Sequence, residues 1–262
     1  MTVVLGRALV TGGAKRLGRD MALYLACRGL DVAIHYASSA EAAEATAEEA
    51  RAYGVRAVTL QADLLDEAQT ETLIAQAAAA LGGELTVLIN NASIFEYDNI
   101  RSASRQSWDR HMESNLRAPF VLTQHFAAQA PRATEGPGGR RAEALVVNMV
   151  DQRVRKLTPE FMSYTIAKMG LWAFTQTAAR ALAPDIRVNA IGPGSTLKGE
   201  NQPQAQFEGQ RAASVLERGA NPDDICAALG YFLDAPAVTG QLLCVDGGQH
   251  LGWKTPDIRG IG

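Results

Sequence analysis

The chain has no basic surplus: 25 Lys and Arg stand against 28 Asp and Glu over 262 residues, a formal net charge of -3. A protein that neutralises a phosphate backbone needs cations to spare, so no nucleic-acid partner is expected. No apolar run approaches the ~20 residues that span a bilayer, so no membrane association is expected either. The N-terminus has no charged segment followed by an apolar one and a small-residue cleavage site, which predicts no signal peptide and a cytoplasmic location. Cysteine is scarce. Cys27, Cys226 and Cys244 are odd in number, far apart and set among apolar residues, the pattern of buried thiols in a reducing compartment. His35, His111, His125 and His250 have no Cys or carboxylate neighbours at ligand spacing, so no metal site is expected.

What the sequence does have is alternation. Val3–Val10, Asp31–Tyr36, Val55–Leu60, Leu85–Asn90, Ala144–Met149, Ile186–Ile191 and Gln241–Val245 are short and mostly continuously apolar, as strands buried on both faces of a parallel sheet are. Between them Leu17–Arg28, Ala40–Tyr53, Glu67–Leu81, Ser107–Ala130, Phe161–Ala183 and Asp223–Leu233 are predicted helices. The pattern specifies βαβ crossovers: an α/β, Rossmann-like, doubly wound fold with a seven-stranded parallel sheet and helices on both faces. No repeat or linker divides the chain, so residues 1–262 are expected to form one domain. Ala130–Arg141, with Gly136-Pro137-Gly138-Gly139, is predicted as a turn-rich loop. The long polar stretch 192–211 is predicted as a substrate loop.

The first strand runs into Thr11-Gly12-Gly13-Ala14-Lys15-Arg16-Leu17-Gly18 before a helix starts. Glycines there let the backbone turn and approach a pyrophosphate at the positive end of the helix dipole. An NAD enzyme commonly ends strand two in an acid that binds the ribose hydroxyls. This chain has His35-Tyr36-Ala37-Ser38-Ser39 instead, and no carboxylate to repel a 2′-phosphate. Ser38 and Ser39, with a cation from Lys15 or Arg16, suit that phosphate, which favours NADPH/NADP as cofactor. The two serines are also placed to cap the following helix. Asp63 and Leu64, just past strand three, are placed to meet the adenine, although an exposed loop acid is an equal reading of Asp63.

Tyr164 and Lys168 are four residues apart and share one face of a helix. An ammonium beside a phenol favours the phenolate, and such a tyrosine can deliver a proton while hydride arrives. With these residues the chain resembles the short-chain dehydrogenase/reductase family along nearly its whole length. Asn90-Asn91-Ala92-Ser93 follows strand four, where the family has Asn-Asn-Ala-Gly. Asn115 lies seven residues after Trp108, as the family's catalytic Asn does; Ile191-Gly192-Pro193-Gly194 follows strand six, and Val245-Asp246-Gly247-Gly248 comes near the end. The resemblance implies cofactor contacts from Gly12, Leu17, Gly18, Asn91, Ala92, Ser93, Lys168, Pro193 and Gly194, and a water held by Asn115 in a proton relay to Lys168. It also implies a homotetramer in which Leu171, Trp172, Phe174 and Thr175 extend an interface helix, although these bulky apolar groups also read as core.

Two departures from the family pattern are informative. The family's Ser, thirteen residues before the Tyr, is Asp151, and the loop's second Gly is Arg16. Both changes, with Phe95 after Asn-Ala-Ser-Ile, resemble the pteridine reductase branch. That resemblance makes Arg16, Ser93, Phe95, Asp151, Tyr164 and Lys168 the substrate and catalytic set, with Phe95 stacking on a pterin. A carboxyl at 151 suits delivery of a proton to nitrogen, whereas a Ser hydroxyl suits a carbonyl. The branch's basic residue after strand two is Ser38 here. Three readings follow: an NADPH-dependent reductase of pterin-like or folate-like substrates, a carbonyl reductase acting on a 3-oxoacyl thioester or ketone, and a non-catalytic NADPH-binding sensor.

Overall fold

The computed structural model describes residues 6–136, 138–199 and 202–253. Of the segments predicted above, Val3–Leu5, Pro137, Glu200 and Asn201 lie outside the described residues. The elements run β1 (Arg7–Val10), α1 (Arg16–Cys27), β2 (Asp31–Tyr36), α2 (Ala40–Arg51), β3 (Ala57–Gln61), α3 (Glu67–Leu81), β4 (Val87–Asn90), α4 (Arg105–Met112) and a π-helical turn at Glu113–Arg117. They continue with α5 (Ala118–Gln129), β5 (Thr134–Gly136), β6 (Gly139–Arg141), β7 (Ala144–Met149), α6 (Met162–Leu182), β8 (Ile186–Pro193), α7 (Gln204–Ala212), α8 (Pro222–Asp234) and β9 (Leu242–Val245).

Seven strands form one parallel sheet in the order β3-β2-β1-β4-β7-β8-β9, as expected. Val10 is in register with Ile34 on one side and Ile89 on the other, so the apolar runs meet in the sheet's centre. All six residues of β7 are buried. Met21, Leu25, Ile34, Leu229 and Phe232 fill the core under α1, α2 and α8, while Leu9, Leu73, Leu88, Leu122 and Phe126 fill the opposite face under α3, α5 and α6. The strand order reverses between β1 and β4, and a crevice opens there at the carboxyl ends of the strands.

Several expectations are corrected. The single helix predicted over Ser107–Ala130 is broken by the π turn. Pro119 has no N–H for the carbonyl of Asn115 four residues earlier, and its ring crowds that carbonyl, so the helix widens there. The loop predicted at Ala130–Arg141 contains the antiparallel pair β5–β6, and the 192–211 loop contains most of α7, which buries none of its residues and so lacks an apolar period. Cys27 is exposed, because it ends α1 on the solvent side; Cys226 is buried as expected, and burial pushes its thiol up to about 12. Leu171 and Thr175 belong to the core and Trp172 and Phe174 pack partly buried against it, so the large apolar residues exposed on α6 are instead Ile166 and Met169.

Candidate active site

The turn after β1 is fastened from three sides. The N–H of Gly12 donates to Nδ1 of His35 (3.0 Å), whose Nε2 lies 3.0 Å from the carbonyl of Ala62. The Asn91 amide donates to the carbonyl of Thr11 (2.8 Å), and the Gly13 N–H donates to the backbone of His35 (2.9 Å). Burial lowers the pKa of His35, which keeps Nδ1 free to accept. Gly12 is left-handed (φ +60°), and a Cβ on Gly18 would lie 2.1 Å from the Gly12 carbonyl oxygen. Neither site admits a side chain without displacing backbone. The N-terminus of α1 has no side-chain cap and no acid in its first turn, so its N–H donors face the crevice as an anion cradle.

One cavity of about 1430 Å³ takes in Gly12, Lys15, Arg16, Leu17, Gly18, Ser38, Asp63, Leu64, Asn91, Ala92 and Ser93 along one wall. Phe95, Asp151, Tyr164, Lys168, Pro193 and Gly194 line the other end. Tyr36 and Ser39 line a side lobe with Lys15 and Ser38, so the basic and hydroxyl groups predicted around a 2′-phosphate are together there. Arg16 is not among them. It adopts φ +54°, a conformation where glycine is the ordinary residue, and its guanidinium crosses the crevice to donate to the carbonyls of Lys198 (3.0 Å) and Leu197 (3.4 Å).

At the chemical end, the Tyr164 hydroxyl donates to Oδ2 of Asp151 (2.9 Å), and Oδ1 of Asp151 accepts the N–H of Arg153 (2.7 Å). Lys168 is buried and donates to the carbonyl of Met149 (2.7 Å), with its Nζ 5.7 Å from the centre of the Tyr164 ring. The expectation that Lys168 drives Tyr164 toward the phenolate is corrected here. Burial, then the charge and hydrogen bond of Asp151, raises the tyrosine well above its ordinary value, and burial also raises Asp151. Burial penalises both anions, so each group holds its proton to a higher pH than its free counterpart does. Burial lowers Lys168 to about 8, with the Asp151 charge opposing the shift. Such an arrangement can hold and deliver protons near neutral pH.

Asn115 is buried and does not line the cavity. Its side chain accepts from the N–H of Ile94 (2.9 Å) and donates to the Ile94 carbonyl (2.8 Å), fixing the segment that carries Ser93 and Phe95. Phe95, half exposed, stacks on Phe161 (centroids 4.2 Å, planes 6° apart) and meets Tyr164 edge-on at 4.7 Å.

A second group of residues has no sequence signal beyond the Ser that precedes Tyr164. Asp98 is buried in the stretch after β4; its Oδ1 accepts the N–H of Ser163 (3.1 Å) and its Oδ2 accepts the Ser163 hydroxyl. The Asp98 carbonyl accepts the N–H of Met162 (3.3 Å). A carboxylate from a distant segment thus caps the helix that carries Tyr164 and Lys168. His111 completes the chain, with Nε2 accepting from Glu96 N–H (3.1 Å) and Nδ1 2.7 Å from Ser163 Oγ. His111 therefore lies near the carboxylate of Asp98, and His250, contrary to the expectation, has a carboxylate partner four residues earlier in Asp246, at 2.7 Å. Even so, no cluster of metal-ligating side chains occurs among the described residues.

Residues 6–208 match the family model described as short chain dehydrogenase. The chain belongs to that family. The curated 3-oxoacyl-[acyl-carrier-protein] reductase FabG of Staphylococcus aureus is 31% identical over 249 residues, covering 93% of this chain and 98% of its own. An uncharacterized oxidoreductase of Mycobacterium tuberculosis is 36% identical over 96% of this chain and 95% of its own. Among solved structures, FolM alternative dihydrofolate reductase 1 of Brucella suis, in complex with NADP, superposes with a TM-score of 0.89 at 41% identity, covering 97% of this chain and 99% of that one. The Brucella canis protein of the same name, also with NADP, gives 0.88 at 39% over 99% and 100%. The short-chain dehydrogenase assignment thus extends over the phosphate loop, the π turn and the Tyr164/Lys168 helix alike.

Proposed function

We propose that this short-chain dehydrogenase is an NADPH-dependent reductase of a dihydropterin or dihydrofolate. The carrying observation is the 2.9 Å hydrogen bond between Tyr164 and Asp151, a carboxyl where the family pattern has a hydroxyl, beside Phe95, which meets Tyr164 edge-on. Likeness to the two FolM structures supports the same reading.

The residues fit the cofactor. The uncapped α1 N-terminus and the bare backbone at Gly12 and Gly18 suit a pyrophosphate, and Lys15, Ser38 and Ser39, with no acid in their lobe, suit a 2′-phosphate. Leu17, Asp63, Leu64, Asn91, Ala92, Pro193 and Gly194 supply the remaining walls. NADPH, when bound, supplies the hydride.

Reducing a C=N bond adds hydride to carbon and a proton to nitrogen. Tyr164 and Asp151 act as one proton-delivering unit: the carboxyl, raised by burial, carries a proton closer to neutrality than a free Asp does and passes it to nitrogen directly or through the phenol. Lys168 supplies a positive charge at the base of the unit, and Asn115 fixes the Ile94 segment that carries Ser93 and Phe95. Phe95 offers its face to the pterin, and Ser93 the polar edge beside it. Ile166 and Met169, apolar and exposed on α6, support a homotetramer as the assembled form.

The pH dependence has a defined sign. An acid with a raised pKa is lost as a proton donor when pH rises through that pKa, and Lys168, lowered to about 8, also loses its charge on the alkaline side. NADPH oxidation by purified protein with 7,8-dihydrobiopterin is therefore expected at pH 6–7 and to fall as pH rises past about 8. No pterin turnover at any pH in that range contradicts the proposal, and so does turnover that climbs with pH.

A further inference from the structure

We propose that Arg153 is an anion-binding element of the substrate cleft, and that the pterin reduced here carries an anionic substituent on its side chain. The inference rests on the pterin reading above and names the kind of pterin.

Arg153 follows Asp151 by two residues, on the short 3-10 turn Gln152–Val154, and lines the same cavity. Its backbone is committed to Asp151, but its side chain points elsewhere. The guanidinium carbon lies 4.9 Å from the centre of the Phe161 ring and 5.9 Å from that of Phe95, and Nη1 donates to the Thr158 hydroxyl (3.0 Å). The two rings are themselves stacked, and Tyr97 meets Phe161 edge-on at 5.2 Å. Phe161 holds a left-handed backbone (φ +53°) where the helix cap begins, so this aromatic wall is anchored to the Asp98-capped start of α6. The guanidinium is thus held against a preformed surface.

The cleft's other cations are occupied or distant. Lys168 is bound to the Met149 carbonyl, Arg110 is paired with Glu96 (2.8 Å), Arg16 spans to Leu197 and Lys198, and Lys15 sits in the lobe with Ser38. Arg153 makes no ion pair with any carboxylate among the described residues. Glu160 lines the same rim without pairing to it. Of the five guanidinium donors one has a protein acceptor among the described residues, so a fork remains for a carboxylate or a phosphate. A ring lying on Phe95 beside the Asp151–Tyr164 pair would direct its substituent toward this fork. A neutral dihydroxyalkyl side chain would leave the fork to water. A glutamate conjugate or a phosphate ester would fill it.

The test compares wild type, Arg153→Met and Arg153→Lys on three substrates: 7,8-dihydrobiopterin, with a neutral side chain; 7,8-dihydrofolate, with glutamate carboxylates; and 7,8-dihydroneopterin phosphate. The readout is kcat/KM for each anionic substrate divided by that for the neutral one. Loss of the Arg153 charge beside Asp151 acts on all three substrates and cancels in the ratio. Wild type is expected to favour at least one anionic substrate. Arg153→Met should lower that ratio about 10- to 100-fold, the loss typical of a charged hydrogen-bond partner, with Arg153→Lys in between. A fall confined to dihydrofolate identifies a carboxylate, and one confined to the phosphate ester a phosphate; either supports the inference. Equal losses on all three, or ratios that stay within about twofold, overturn it while leaving pterin reduction intact. If wild type turns over no pterin at all, the parent reading fails and this one fails with it.

Discussion

Asp151→Ser is expected to lower pterin reduction at least ~100-fold, about 2.7 kcal/mol of transition-state stabilisation, while reduction of any carbonyl substrate changes far less. The substitution restores the hydroxyl that the family pattern has at this position. It removes the group that accepts from Tyr164 at 2.9 Å and, after burial, does most to raise that phenol. Two consequences follow from the same change. The phenol's pKa drops, since both Asp151 contributions that raised it are gone, and the tyrosine becomes an adequate lone acid for a carbonyl oxygen. The proton that the carboxyl held for nitrogen is no longer available. Steady-state kinetics on a dihydropterin and on a 3-oxoacyl thioester, with both proteins at one pH, separate the two effects. Equal losses on both substrates would deny Asp151 a special role.

Tyr164→Phe should reduce kcat on every substrate by about 10²- to 10⁴-fold, the range for losing a positioned general acid. Tyr164 is buried beneath Phe95, and Phe preserves its packing, so the loss should appear in kcat with folding unaffected. A more specific sign accompanies it. The hydrogen bond from Tyr164 lowers the pKa of Asp151, against the larger upward effect of burial. Deleting the hydroxyl therefore raises Asp151 further, and the alkaline limb of the residual pterin activity should move to higher pH. A limb that moves to lower pH would show that Asp151 does not carry the proton.

Much of this site was legible because its residues sit at junctions that the fold dictates. A glycine turn between an apolar strand and a helix must lie at the sheet's carboxyl edge, as Gly12 to Gly18 do, and an i, i+4 pair must share a face, as Tyr164 and Lys168 do. Spacing gave proximity but not sign. It predicted that Lys168 would lower Tyr164, whereas Lys168 is tied to Met149, and burial, then Asp151, raises the phenol. Asn115 was found by its distance from Trp108, but its side chain braces Ile94 and stays outside the cavity, and the π turn that presents it depends on Pro119. Asp98, Ser163, His111 and His35 were missed because their partners are contributed by other elements. Asp98 lies 65 residues from Ser163, so no window along the chain contains the bond that caps α6. Arg16 was read, as an alternative to Lys15, as a phosphate ligand from its place in the loop, and its reach to Leu197 and Lys198, some 180 residues on, has no local signature.

The central claim is that Asp151 and Tyr164 together make a C=N reductase out of a fold that elsewhere reduces carbonyls. It is tested most directly by competition: wild-type protein, NADPH, and a 7,8-dihydropterin and a 3-oxoacyl thioester in one mixture, with both reduced products quantified. Tetrahydropterin is expected to accumulate, with the thioester left almost untouched. Hydroxyacyl thioester as the main product, with the pterin unchanged, would contradict it.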